Sequence, residues 1–161
     1  MSASLAHIWR YPIKAHGFEA LDAVSLATGK TMPWDRAWAV VHEKSSADGA
    51  EWVSCGNFSR GAKAPALMAI AAKLDEASRT ITLSHPDLPT ITFSPDTESD
   101  RFIAWVRPIM PAGNTSSDRI VSAQSRGMTD SDFASISLNN LATNRAIGEK
   151  LGQNLSALRW R

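Results

Sequence analysis

The chain has 161 residues, 43% of them hydrophobic and 20% charged, which is enough for a globular protein with a real core. Its net charge is +1, and its 17 basic residues form no cluster of four or more, which argues against a nucleic-acid or membrane-surface binder. No apolar run is long enough for a membrane span or a signal peptide, and the single cysteine, Cys55, excludes an internal disulfide, so we expect a cytoplasmic protein.

Short β-strands are predicted through the first part of the chain, separated by glycine, proline and aspartate. The predicted strands cover residues 4–13, 20–28, 36–43, 68–74, 80–84 and 90–94. The first two join at a turn that begins at Lys14, and a long polar connection over 44–65 is expected to be functional or mobile. Many short strands at close spacing predict an antiparallel β-barrel or sandwich over residues 1 to about 95.

The apolar period changes to that of a helix after Pro95. Asp96 or Thr97 can cap a helix near 97–107, which Pro108 ends. Its predicted apolar face consists of Phe102, Ile103, Trp105 and Val106. The fold is therefore expected to be mainly β (α+β), with the barrel and its helix forming a domain over 1–110.

A second segment, 111–161, follows a linker-like stretch at 111–117. It is predicted to contain a strand over 118–123 and a helix near 137–151, with Ser137 as its cap and Gly152 as its stop. Residues 155–161 have the composition of one more strand. The apolar faces of this segment are expected either to be exposed or to be covered by a second copy of the chain in a homodimer.

Common catalytic and metal-binding motifs are missing from the sequence. The four histidines have no usual metal-ligand spacing, and there is no CxxC or HExxH, so a zinc site is not expected. The chain also lacks GxSxG, GxGxxG and the Walker-type phosphate loop, which removes the common hydrolase, Rossmann and nucleotide-binding interpretations.

Basic or hydrogen-bonding side chains lie next to several turns and helix starts. They are Lys14, Arg36, Arg60, Ser137, Asn139, Asn140, Arg159 and Arg161. Turn and helix-start amides together with lysine or arginine can bind a phosphate. Each residue also has an ordinary explanation: a solvated lysine, a surface ion pair between Asp35 and Arg36, or a simple helix cap at Ser137.

Three motifs occur in an order that resembles the MOSC family, named after the C-terminal domain of molybdenum-cofactor sulfurase. They are Tyr11-Pro12-Ile13-Lys14, then Asp35-Arg36-Ala37-Trp38, then Ser59-Arg60 before Pro65. The stretch from Asp130 to Ser137 resembles the start of the MOSC domain proper, and Arg159-Trp160-Arg161 resembles the beginning of its Arg-Phe-Arg-x-Asn strand. The resemblance implies an N-terminal β-barrel followed by an incomplete MOSC-type α/β segment.

The resemblance further implies a molybdenum cofactor as the ligand. The implied cofactor-binding residues are Lys14, Arg60, Ser137, Asn139 and Arg161. Lys14 and Arg60 are expected to point into one common cleft, whereas the Asp35–Arg36 pair either binds ligand or pins a loop against the barrel. The family's molybdenum-binding cysteine lies on a later segment, and Cys55 does not match its position, so we expect a truncated member.

Two functions remain open from the sequence. The first is a MOSC-type protein that binds the molybdenum cofactor, as a cofactor or sulfur carrier or as a reductase component. The second is a non-catalytic β-barrel module that recognises a partner or a small anionic ligand. A downstream cysteine would discriminate between them.

Overall fold

The computed structural model describes residues 3–113, 115–124 and 126–155. Its strands and helices are, in chain order, β1 (Ile8–Arg10), β2 (Glu19–Leu21), β3 (Trp38–His42), β4 (Ala71–Asp75), β5 (Thr80–His85), β6 (Leu88–Phe93), α1 (Ser99–Val106), β7 (Ser117–Ser122) and α2 (Leu141–Leu151). Short 3₁₀ turns lie at Cys55–Asn57, Pro65–Ala69 and Arg107–Ile109. The prediction of a mainly β fold with few helices is confirmed.

The strands form three antiparallel sheets, which are β1–β2, β3–β7 and β4–β5–β6. Isolated bridges link Ile13 to Trp38 and Phe18 to Ala71. Helix α1 contacts both β6 and β7, each of which is an outer strand of its sheet. No closed barrel is found in the strand pairing of the described residues, so the barrel remains a prediction. Helix α1 packs against two of the three sheets.

Several strands are shorter than the sequence predicted. The expected strand over 20–28 is reduced to Glu19–Leu21, because the following residues are mostly exposed and gain no buried face. Beyond Leu155, the predicted strand over 155–161 lies outside the described residues. The hairpin of β4 and β5 is confirmed, with Leu74 opposite Ile81 across the pair.

The main core lies between the sheets and α1. Its largest fully buried side chains include Trp38, Phe93 and Phe102, and the two phenylalanine rings stack with their centroids 5.2 Å apart. All four predicted apolar residues of α1 are buried, which confirms that face. The predicted cap of α1 is wrong, because Glu98 precedes the helix and Asp96 hydrogen-bonds elsewhere.

Asp96 joins three parts of the fold through its carboxylate. It accepts hydrogen bonds from Trp38 Nε1 at 2.8 Å, Ser122 Oγ at 2.5 Å and Arg79 Nε at 2.8 Å. Burial by itself raises the pKa of Asp96, but the bonds from Ser122, Trp38 and Arg79, with the charge of Arg79, outweigh it and hold the pKa below its ordinary value of 3.8. The ionised carboxylate therefore stabilises the folded state.

This depressed pKa predicts how stability depends on pH. The stabilisation is present above the ordinary pKa of 3.8 and is lost as the pH falls through the lower folded-state value. Asp96→Asn should therefore lower the free energy of unfolding at neutral pH, and its difference from the wild type should shrink below about pH 4. Urea unfolding at a series of pH values measures this difference. A difference that stays constant down to acid pH would contradict the prediction.

Helix α2 begins later than predicted. Asn140, not Ser137, is the cap, and its side chain accepts a hydrogen bond from the backbone N–H of Ala142 at 2.8 Å. Ser137 lies exposed three residues before that cap, so its predicted capping role is wrong. Gly152 ends the helix with a left-handed φ of 62°, as predicted.

Large apolar side chains are exposed in the C-terminal part. They include Phe133, Ile136, Leu138, Leu141 and Leu151. A homodimer through this surface remains a prediction. The domain boundary at residue 110 also remains a prediction, although β7, which lies beyond it, pairs with β3. In the described ranges, no helix combines the length and the apolar character of a membrane span.

Candidate functional site

The turn after β1 positions Lys14. Its backbone N–H donates to Trp38 O at 2.8 Å, and His16 N donates to Ile13 O at 3.0 Å, which closes the turn. Gly17 has a φ of 99°, and a Cβ at this position would lie 3.0 Å from Ile70 Cγ2. Glycine is therefore required where the turn packs against the core.

The side chain of Lys14 is buried and already holds two oxygen atoms. Its Nζ donates to Met128 O at 2.8 Å and to Asp130 Oδ1 at 2.5 Å, and only 5% of the residue is exposed. It also lies 5.9 Å from the centroid of the Phe58 ring. The ammonium group thus ties the β1 turn to the segment 126–131.

Segment 126–131 also contacts two other regions, which are Trp52 and the loop before β3 that contains Asp35 and Arg36. Thr129 O accepts from Trp52 Nε1 at 2.9 Å, and Met128 N donates to Arg36 O at 2.8 Å. A Cβ on Gly127 would lie 2.1 Å from Asp35 O, so only glycine permits this approach. The sequence does not indicate this role of the segment, because its partners are distant in the chain.

The Asp35–Arg36 pair fixes the loop before β3. Asp35 Oδ1 accepts from Tyr11 N at 2.9 Å, and its Oδ2 accepts from Arg36 Nη1. The Arg36 guanidinium lies 4.8 Å from the centre of the Tyr11 ring, and Arg36 N donates to Tyr11 O at 2.7 Å. This geometry supports the loop-pinning role over a ligand-binding one.

Arg60 lies at a cavity of about 230 Å³. The residues that line it include His42, Phe58, Ser59, Arg60, Lys63 and Thr115. Lys63 N and Ala64 N both donate to Arg60 O at 3.0 Å, and this turn brings both basic side chains to the same cavity. Lys63 follows Arg60 by three residues in SRGAK, a spacing that could have identified it from the sequence.

Cys55 is half-buried beside this cavity. Arg60 Nη1 donates to its Sγ at 3.6 Å. Within residues 3–113, 115–124 and 126–155, histidine, cysteine and carboxylate side chains form no cluster of three that could hold a metal ion. Cys55 therefore has a hydrogen-bond donor in Arg60, but it belongs to no metal-binding cluster in the described ranges.

The predicted site residues lie in different places. Lys14 is not among the residues lining the Arg60 cavity, although Phe58 lies against both. Ser137 and Asn139 are exposed in the segment before α2, and Arg161 lies outside the described residues. Their common role in binding remains a prediction.

The comparisons with known proteins add a family. A family model described as the MOSC N-terminal beta barrel domain matches residues 2–130. The searches of curated proteins and of solved structures give no match. The matched range includes Lys14, Arg60 and residues 126–130, which are all but the last residue of segment 126–131. Because the family model matches most of the chain, the chain belongs to the MOSC family.

Proposed function

We propose that this chain holds the phosphate-bearing end of a molybdenum cofactor, with the Arg60 cavity receiving the phosphate. The observation that carries the proposal is that Arg60 and Lys63 line one cavity. A guanidinium can donate two parallel hydrogen bonds to a phosphate, and an ammonium adds a point charge. Membership of the MOSC family supports this class of ligand.

The size of the cavity limits what it can enclose. Its volume of about 230 Å³ is below the ~300–1,000 Å³ of typical small-molecule pockets. It therefore suits a phosphate group, and the pterin would extend beyond it. The cofactor, when bound, would supply metal-centred redox or sulfur-transfer chemistry, while the residues of this chain bind and orient it.

Lys14 has a different part in this proposal. Since its ammonium group donates to Met128 O and Asp130 Oδ1, it acts by fixing segment 126–131 instead of contacting the phosphate. Lys14 is thus a positioning residue. Ser137, Asn139 and Arg161 keep their proposed roles as cofactor contacts on the basis of the family resemblance alone.

Arg60→Ala tests the proposal directly. The chain is produced in a host that makes the molybdenum cofactor, and the pterin that copurifies is oxidised and measured by its fluorescence. Loss of a charged hydrogen bond should lower the bound pterin about tenfold in Arg60→Ala, and Lys63→Ala should lower it as well.

Lys73→Ala provides the matched control, because Lys73 is exposed on β4 and does not line the cavity. This variant should keep the wild-type amount of pterin. Circular dichroism confirms that each variant is folded. Wild-type protein without pterin, or equal amounts in Arg60→Ala and the wild type, would refute the proposal.

The second candidate is a module that binds a small anion without chemistry. The small volume of the cavity favours it, since a free phosphate would fit without the pterin. Calorimetric titration with inorganic phosphate separates the two functions. Phosphate binding that requires Arg60, in protein that never acquires pterin, identifies the second.

A further inference from the structure

A second cavity, of about 250 Å³, does not have Arg60 among its lining residues. It is formed by the loop before β3, the turn between β4 and β5, and the residues after β7. The residues that line it include Thr31, Trp34, Arg79, Ser122, Gln124 and Arg126. Two arginines thus face one small cavity from distant parts of the chain.

Arg126 gives this cavity a positive charge without a carboxylate partner. Its Nη1 donates to Thr129 Oγ1 at 3.2 Å and its Nη2 to Ser131 O at 2.7 Å, and both acceptors are neutral. No ion pair involves Arg126 among the described residues. The charge of Arg126 therefore remains available to an anion.

The other ionised groups at the cavity are compensated. Arg79 pairs with Asp96, with Nη2 and Oδ2 2.7 Å apart. The carboxylate of Asp35 accepts from Tyr11 N and from the Arg36 guanidinium. Because the charges of Arg79 and Asp35 are each balanced by a partner, the net charge at the cavity is the single positive charge of Arg126. The cavity therefore attracts anions and not cations.

Aromatic rings hold both guanidinium groups in place. Arg79 lies 5.2 Å from the centre of the Trp34 ring and 5.5 Å from that of Trp38. Arg126 lies 5.4 Å from the centre of the Trp52 ring. Stacking on a ring fixes the plane of a guanidinium and leaves N–H groups at its edge for an acceptor. Such preorganisation lowers the entropy lost on binding.

Backbone strain is concentrated at the same cavity. Four non-glycine residues in the described ranges have a positive φ, and two of them line it: Trp34 at 63° and Arg79 at 54°. Arg36, at 50°, is next to a third lining residue, Asp35. Left-handed conformations are unfavourable for bulky residues and occur often at ligand sites.

We propose that this cavity binds a small oxyanion, a phosphate or a carboxylate group, between Arg79 and Arg126, with Trp34 at its rim. The uncompensated charge and the two stacked guanidinium groups carry this inference, and the strain agrees with it. It does not depend on the cofactor function proposed for Arg60.

The test is an NMR titration of the full chain at constant ionic strength, with sodium phosphate in one series and sodium acetate in the other. The Trp34 indole N–H signal, identified with Trp34→Phe, should shift saturably with at least one of the two anions. Arg126→Gln should weaken that binding about tenfold. Arg145→Gln, a change of an exposed arginine on α2, and Arg60→Gln should both leave it unchanged.

Arg126→Gln is the decisive variant, because Arg79→Gln would also break the pair with Asp96 and could unfold the chain. The absence of a saturable shift with either anion would overturn the proposal, as would equal binding in Arg126→Gln and the wild type. If Arg60→Gln abolished the anion-dependent shift of the Trp34 signal, the anion would bind at the Arg60 cavity instead. That result would also overturn the proposal.

Discussion

Trp38→Ala should lower the free energy of unfolding by about 3–5 kcal/mol. Trp38 is fully buried in the main core and stacks on Trp34 with the ring centroids 5.6 Å apart. Its Nε1 also donates to Asp96 at 2.8 Å, so the substitution leaves both a cavity and a lost hydrogen bond. Since domains are stable by roughly 5–15 kcal/mol, this is a large share. Urea unfolding followed by circular dichroism measures it.

Two further variants separate the causes. Trp38→Phe keeps a large ring but loses the bond to Asp96, so its cost should be intermediate. Leu26→Ala changes a residue that is 56% exposed and should cost at most about 0.5 kcal/mol. If Trp38→Ala were as mild as Leu26→Ala, the assignment of Trp38 to the core would be wrong.

Lys14→Ala should cost about 2–4 kcal/mol. The substitution removes a buried stem and leaves Met128 O without its donor, while Met128 itself is fully buried. Lys14→Met keeps the apolar stem, so the difference between the two variants gives the cost of the packing alone. Urea unfolding measures both changes.

Hydrogen exchange distinguishes a positioning role for Lys14 from simple destabilisation. Met128 N donates to Arg36 O, so its amide should exchange faster in Lys14→Met than in the wild type. The exchange rates of the β5 amides, which lie in the β4–β5–β6 sheet, should change less under native conditions. Lys73→Met is the control, because Lys73 is exposed on β4, and it should leave the exchange of the Met128 amide unchanged. Unchanged exchange at Met128 in Lys14→Met would show that the ammonium does not hold the segment.

The features predicted correctly from the sequence are those set by local periodicity. Alternation of apolar residues identified the hairpin of β4 and β5, and the helical period identified the buried face of α1. The stop at Gly152 followed from its ability to adopt a positive φ. In each case the signal lies in a short run of neighbouring residues.

Long-range contacts and competing caps were not predictable in this way. Lys14 and Asp130 are separated by 116 positions, and no local pattern in either stretch indicates the other. The pairing of β3 with β7 is also long-range, with Trp38 opposite Ser122. Serine and asparagine are both favourable helix caps, so cap preference alone could not predict that Asn140, and not Ser137, caps α2.

The pairing of β3 with β7 also bears on the order in which the chain folds. Strands β4, β5 and β6 are consecutive, so their two hairpins need only short loops to close. Strand β3 pairs with β7, which is synthesised after β4, β5, β6 and α1. Closing the long loop between β3 and β7 costs more entropy than closing a hairpin. During synthesis, β3 therefore stays without its pairing strand until β7 has left the ribosome.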